Sequence, residues 1–156
     1  MDPLLVSART DVTLSHSPIN PKWVQSGAPI ATSALLDRSA DGMAFTVVWE
    51  CTPGRFEWRY DIDETIHILK GSILLETDAA PTRRFGPGSV VSFKKGAVAR
   101  WQVEETVRKL AFCRRAQPKP LLLVMQIKDR LTALTARGGR AEGSGGLIGA
   151  GVLGGA

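Results

Sequence analysis

Histidine and cysteine, which build most metal and redox centres in proteins, are scarce in this sequence. The 156 residues include two histidines, His16 and His67, and two cysteines, Cys51 and Cys113. The cysteines lack the close pairing that is typical of zinc sites and redox motifs. We therefore expect two buried thiols rather than a disulfide bridge.

Long apolar segments and basic clusters are also missing. Residues 1–6 lack the basic segment and apolar core of a signal peptide, and the apolar run 121–125 is far shorter than the ~20 residues of a membrane span. The net charge is +5, but no nucleic-acid recognition motif accompanies it. These absences predict a cytoplasmic protein with no membrane span and no nucleic-acid partner.

The sequence does contain many short strand-like segments, separated by turns rich in glycine, proline and aspartate. The length suits one domain, and nothing of helical length interrupts the strands before Pro118. Such spacing predicts a β barrel or sandwich. The candidate strands are 31–36, 43–51, 55–60, a segment beginning at 64, 72–77, a short strand near 82–85, 89–93, 98–103 and 107–115, with a further short one around 12–14.

The carboxyl-terminal part has a different composition. Residues 121–137 carry apolar side chains at helical spacing, which predicts an amphipathic helix that packs on the barrel or on a second subunit rather than on a membrane surface. Residues 138–156 hold nine of the sixteen glycines. We expect this glycine-rich tail to be disordered, because glycine loses the most backbone entropy on ordering.

The most unusual stretch runs from Gly54 to Gly71, where two alternating segments flank an acidic turn. Strand pleating places Phe56, Trp58 and Tyr60 on one face of the first segment. Glu64 opens the second segment and points to the same side. The pattern therefore predicts a carboxylate surrounded by aromatic rings inside the sheet structure.

This stretch resembles the first conserved motif of cupins, which are small double-stranded β-helix barrels of the jelly-roll type. Trp58 and Tyr60 stand where that motif has two histidines, Glu64 stands at its glutamate, and Gly71 at its closing glycine. The sequence of this region is most similar to the cupin branch named for the (S)-ureidoglycine aminohydrolase domain, which includes the ethanolamine-utilisation cupin. The resemblance covers roughly residues 18–115.

A second match lies at 86–96, similar to the second cupin motif, with Ala99 where the last histidine ligand would be. The resemblance implies an all-β fold, a single cupin double-stranded β-helix barrel, followed by the amphipathic helix and the flexible tail. We also expect a homodimer that pairs through a sheet. The expected organisation is an arm at 1–17, the barrel at 18–117, a helix at 118–137 and the tail at 138–156.

The cupin resemblance implies a metal site, but the residues oppose one. Trp58 and Ala99 cannot ligate, and Tyr60 is a poor ligand at its ordinary pKa of ~10. Glu64 is the one remaining candidate ligand. His67 is an odd number of residues away from Glu64, so His67 faces the other side of the strand. We predict that the protein uses no metal and no other cofactor.

A buried Glu64 needs a cation. Lys109 faces inward between small residues, so its stem has room to approach Glu64. The pair could fix the acidic turn structurally. Alternatively, Glu64, Lys109 and Tyr60 form the polar end of a small-molecule pocket, with a possible catalytic role. The predicted ligand-binding residues are Trp49, Phe56, Trp58, Tyr60, Glu64, Ala99 and Trp101.

Three functions remain open on the sequence. The first is a metal-free cupin that binds a small molecule in an aromatic-lined barrel pocket. The second is an enzyme of the C–N hydrolase, isomerase or lyase type, in which Glu64 acts with Lys109 or Tyr60 as general base and acid. The third is a structural or interaction protein whose core is filled by aromatic side chains.

Overall fold

The structure, a computed structural model, describes residues 5–116 and 119–138, with side chains described in the helix only for 123–134. Apart from Gly138, the predicted glycine-rich tail lies outside the described residues. The described chain forms compact units that divide after Ala116. The first contains all the strands, and the second contains one helix.

Two antiparallel sheets make up the first unit, which confirms the all-β barrel expected from the strand pattern. The six-stranded sheet has the order β1-β3-β4-β11-β6-β9, and the five-stranded sheet has the order β2-β5-β10-β7-β8. The strands are β1 (Ser15–His16), β2 (Val24–Gly27), β3 (Ala31–Arg38), β4 (Ala44–Cys51), β5 (Gly54–Arg59), β6 (Asp63–Lys70), β7 (Ile73–Thr77), β8 (Ala80–Phe85), β9 (Val90–Phe93), β10 (Val98–Val103) and β11 (Val107–Arg114).

The hydrophobic core lies between the two sheets, because each central strand sends alternate residues inward. On β6 the residues Glu64, Ile66 and Ile68 are buried, whereas Thr65 and His67 are only partly covered. On β11 the buried residues include Lys109 and Ala111. The predicted facing of both strands is confirmed by this alternation.

The amino-terminal arm differs from the prediction in one respect. The strand expected around Val12–Leu14 is wrong, since the arm pairs with β3 through Ser15 and His16 instead. Residues 12–14 alternate too weakly to define a register from sequence. Trp23, which ends a 3₁₀ turn at Pro21–Trp23, packs edge-on against Trp58, with ring centroids 5.4 Å apart. Together with the pairing of β2 and β5, this contact holds residues 21–27 on the barrel.

The second unit contains α1 (Lys119–Gly138), which includes the amphipathic segment predicted at 121–137. Its described apolar side chains are exposed, including Val124 and Ile127. What this helix packs against therefore stays a prediction. Among the described residues, no helix combines the length and the hydrophobicity that crossing a bilayer requires.

Candidate functional site

The centre of the candidate site is an ion pair inside the barrel. Lys109 Nζ donates a hydrogen bond to Glu64 Oε1 over 2.6 Å, and the two side chains are 6% and 9% exposed. The predicted approach of Lys109 to Glu64 is thus confirmed. A buried charge is costly when alone, so each of these groups makes the burial of the other tolerable.

Strand register explains how two distant residues meet. Glu64 on β6 lies opposite Cys113 on β11, whereas Lys109 lies opposite Trp49 on β4. The two backbone positions are therefore about 14 Å apart along β11, at ~3.4 Å per residue. Ala111, between them on the same face, is small enough to leave a channel for the lysine stem. Lys109 reaches Glu64 by extending along the inner face of the sheet.

Two indole rings complete the environment of the ammonium group. Lys109 Nζ lies 4.8 Å from the ring centroid of Trp49 and 4.9 Å from that of Trp101. At these distances the negative faces of the rings attract the cation. One carboxylate and two aromatic faces therefore hold the charge in place.

Tyr60 joins the ion pair to the aromatic core. Its hydroxyl accepts a hydrogen bond from Trp101 Nε1 at 3.2 Å, and its ring stacks on Phe93 with centroids 4.2 Å apart. Burial, reinforced by the negative charge of Glu64, raises the pKa of Tyr60 well above its ordinary value. The phenol is therefore neutral at physiological pH, with its own O–H available to donate.

These groups border a cavity of about 210 Å³, which we call the site cavity. Of the sequence-predicted residues, the lining includes Trp49, Trp58, Tyr60, Glu64 and Lys109. The others lie behind the lining, fully or almost fully buried: Phe56, Ala99 and Trp101. Trp101 still contacts the site through Lys109 and Tyr60. The roles of all these residues in binding stay predictions.

The sequence analysis did not identify several residues that line the site cavity, among them Ser33, Phe45, Val47 and Asp61. Phe45 and Val47 share the Trp49 face of β4, so strand parity could have identified them. Ser33 pairs with Trp49 across β3 and β4, a register that the sequence does not reveal. Asp61 lies in the turn between β5 and β6, where no pattern fixes the direction of a side chain.

Trp58, Tyr60 and Asp61 also line a neighbouring cleft of about 280 Å³. Trp23 and Arg59 complete that cleft. The same three residues therefore stand between the site cavity and a second recess. A ligand that extends past Trp58 would meet the ring of Trp23.

The two cysteines lie at opposite ends of the β4–β11 ladder. Cys51 pairs with Val107, and Cys113 pairs with Phe45, so about 20 Å of strand separates them at ~3.4 Å per residue. Both are free and buried, as predicted. Burial raises the pKa of each thiol to about 12, which keeps it protonated at neutral pH. A neutral thiol is a poor nucleophile and a poor metal ligand.

The donors in this cavity do not suit the metal that cupins commonly hold. Ala99 pairs directly with Trp58, so two of the family's ligand positions carry no donor atom. Glu64 is occupied by a cation 2.6 Å away, which would repel a metal ion. Within residues 5–116 and 119–138, no three His, Cys, Asp or Glu side chains cluster as a metal site would require. His67 is on the opposite face of β6, and His16 is exposed.

Comparison with known proteins identifies a related domain. The model of the EutQ-like cupin domain family matches residues 38–111. Comparison with curated proteins finds no match.

Among solved structures, the fold is similar to that of a DUF861-family protein of unknown function from Pseudomonas syringae, with 22% identity and a TM-score of 0.62 over 67% of this chain and 46% of that one. It is also similar to Clostridium difficile EutQ, with 15% identity and a TM-score of 0.50 over 58% and 66% of the two chains. The polyketide cyclase RemF from Streptomyces resistomycificus shows 20% identity and a TM-score of 0.54 over 74% and 82%. The chain thus spans less than half of the Pseudomonas protein and just under two thirds of the Clostridium one.

Proposed function

We propose, on the premise that this chain is a cupin-superfamily protein with a EutQ-like cupin domain, that it binds a small organic molecule in the site cavity without a metal. The observation that supports this most strongly is the ion pair of Glu64 and Lys109 at the edge of a cavity walled by tryptophan. Small-molecule sites commonly combine apolar walls with a few placed polar groups.

The volume of the cavity limits its ligand. At ~30 Å³ for each water molecule in the liquid, the 210 Å³ cavity has room for about seven non-hydrogen atoms. The faces of Trp49 and Trp58 favour a planar or apolar body. Its polar group would meet the Lys109 ammonium and the Tyr60 hydroxyl. This space favours a binding protein over a barrel whose core is filled by aromatic rings.

One observation favours an enzyme as the second candidate. Glu64, Lys109 and Tyr60, each able to transfer a proton, border the same cavity. An isomerase, lyase or C–N hydrolase of the ureidoglycine aminohydrolase type would need such groups. A reaction would show a pH–rate profile that changes in Glu64→Gln, whereas a binding protein would lose affinity without any turnover.

We further propose a cytoplasmic homodimer that pairs through the outer face of the six-stranded sheet. One row of that face runs across three strands through Val90, His67 and Leu110. Val90, and Phe112 in the next row of the same face, are 64% and 50% exposed. Burial of these side chains against a second copy would remove apolar surface from water. Sedimentation of Phe112→Glu, expected to be monomeric, tests this pairing.

A cavity-blocking variant tests binding. Ser33→Trp places an indole in the site cavity, whereas Thr32→Trp places the same group on the opposite face of β3. A library of small planar and amphipathic metabolites is screened by thermal shift. We expect at least one compound to raise the Tm of the wild type and of Thr32→Trp but not that of Ser33→Trp. A library without hits, or hits that stabilise Ser33→Trp equally, would contradict the proposal.

A further inference from the structure

A third cleft opens at the seam between the two sheets. The strand β8 is one edge of the five-stranded sheet, and β9 is one edge of the six-stranded sheet. In the described part of the chain, neither strand pairs with the opposite sheet. Between them lies a cavity of about 340 Å³, which we call the seam cleft.

The walls of the seam cleft are mainly apolar. They are formed by residues from β7, β8, β9 and the turn between β9 and β10, including Leu75, Phe85, Val91, Phe93 and Ala97. Phe93 presents one ring face to Tyr60, at 4.2 Å between centroids, so its ring separates the seam cleft from the site cavity. The two cavities therefore have different linings and can be tested separately.

The charged residues that line the seam cleft are both cations. They are Arg83 and Lys94, and no carboxylate lines the cleft. The Arg83 guanidinium lies 5.4 Å from the ring centroid of Phe85, one of the apolar walls. The next residue, Arg84, is paired with Glu104 at 2.6 Å. Among the described residues, by contrast, neither Arg83 nor Lys94 takes part in an ion pair.

Edge strands commonly carry basic residues that prevent another chain from adding a strand. Here Pro81 already removes one backbone donor from β8, which hinders strand addition. Protection of an edge strand against strand addition does not require an apolar cleft beside it. The combination of apolar walls with two unpaired cations and no acid instead matches a ligand with an apolar body and a negative charge.

We propose that the seam cleft binds a small amphipathic organic anion, with its apolar body against Phe85 and Phe93 and its carboxylate near Arg83 and Lys94. At ~30 Å³ per water-sized group, the cleft holds about eleven non-hydrogen atoms. A carboxylate of about ten carbons has this size. Arginine and lysine supply the charge-assisted hydrogen bonds that fix such a head group. This site is independent of the function proposed for the site cavity.

Calorimetric titration of the full chain with decanoate tests the proposal, with decylamine as a probe of equal length and opposite charge. We expect saturable binding of one decanoate per chain and at least tenfold weaker binding of decylamine. The double variant Arg83→Gln with Lys94→Gln should weaken decanoate binding at least tenfold. Its matched control, Arg84→Gln with Lys95→Gln, removes two neighbouring cations and should stay within twofold of the wild type.

Chemical-shift mapping on the wild type provides a second readout that needs no variant. Decanoate should shift the methyl signals of Val91, Ala97 and Leu75, while the Ala111 methyl in the site cavity stays unchanged. Shifts at Ala111 alone would place the ligand in the site cavity, which overturns this inference and leaves the proposed function intact. Equal affinity for decanoate and decylamine would also overturn it. So would the absence of decanoate binding, including the case in which two chains associate through the seam cleft instead.

Discussion

At the residue scale, Lys109 is the group on which the candidate site depends. Its ammonium is buried with Glu64, and its loss would leave an uncompensated carboxylate in the interior. Lys109→Met should therefore lower the free energy of unfolding by about 3–5 kcal/mol. The added change Glu64→Leu should recover a large part of this loss, since it removes the orphaned charge. Urea denaturation measures both effects.

The exposed pair of Arg59 and Glu57 gives the matched control, since the arginine side chain is 63% exposed. Surface pairs contribute about 0–1 kcal/mol, so Arg59→Met should change the urea midpoint little. If Lys109→Met has no larger effect than Arg59→Met, the buried pair does not stabilise the barrel as described.

Gly71, the closing glycine of the first motif, permits a second prediction at this scale. Its φ is +73°, and a Cβ there would overlap the carbonyl oxygen of Thr106. Gly42 has a similar φ of +69° with open space around it. Gly42→Ala should cost ~1 kcal/mol from backbone strain alone, and Gly71→Ala clearly more because of the added overlap. Equal urea midpoints for the two variants would show that the overlap is relieved without cost.

At the scale of strands, the β4–β11 ladder places the two thiols in the core. Their pKa of about 12 exceeds the ordinary value of 9, so the folded protein keeps two protons that the unfolded chain releases above about pH 9. Stability is therefore fully present below pH 9 and falls as the pH rises towards 12. The pKa of Tyr60 is also raised by burial, so this group likewise makes the stability fall as the pH rises.

The measurement is urea denaturation between pH 8 and pH 11, in the wild type and in the double variant Cys51→Ala with Cys113→Ala. We expect the double variant to lose less stability over this range, although it starts from a lower value because of the deleted core atoms. An equal loss of unfolding free energy in the wild type and in the double variant would show that the thiols do not contribute to alkaline unfolding.

The strands also show what the sequence could predict. Alternation in Phe56, Trp58 and Tyr60 was strong enough to fix an inward face, and the small neighbours of Lys109 explained its inward direction. The burial of Val48 on the outer face was not predictable in this way, because its neighbours across the sheet, Leu110 on β11 and Ala34 on β3, are set by a register that the sequence does not reveal. The arm strand was misplaced because Val12–Leu14 carries no clear alternation.

At the scale of the molecule, the fold followed from motif spacing, since Glu64 and Gly71 stand where a cupin barrel requires them. The cavities could not be predicted from motif spacing. Their volumes depend on how completely side chains from several strands fill the space, as Ser33 and Asp61 show. The seam cleft depends on which strands remain edges, and that is a property of the sheet order rather than of local sequence.

The central claim is that the site cavity holds a small molecule beside the Glu64–Lys109 pair. Native mass spectrometry of the full chain, purified from cells without denaturation, tests it most directly. The account predicts an added mass that is released on denaturation, present in the wild type and in Thr32→Trp, and lost in Ser33→Trp. A bare chain mass in the wild type, or an added mass that survives in Ser33→Trp, would contradict it.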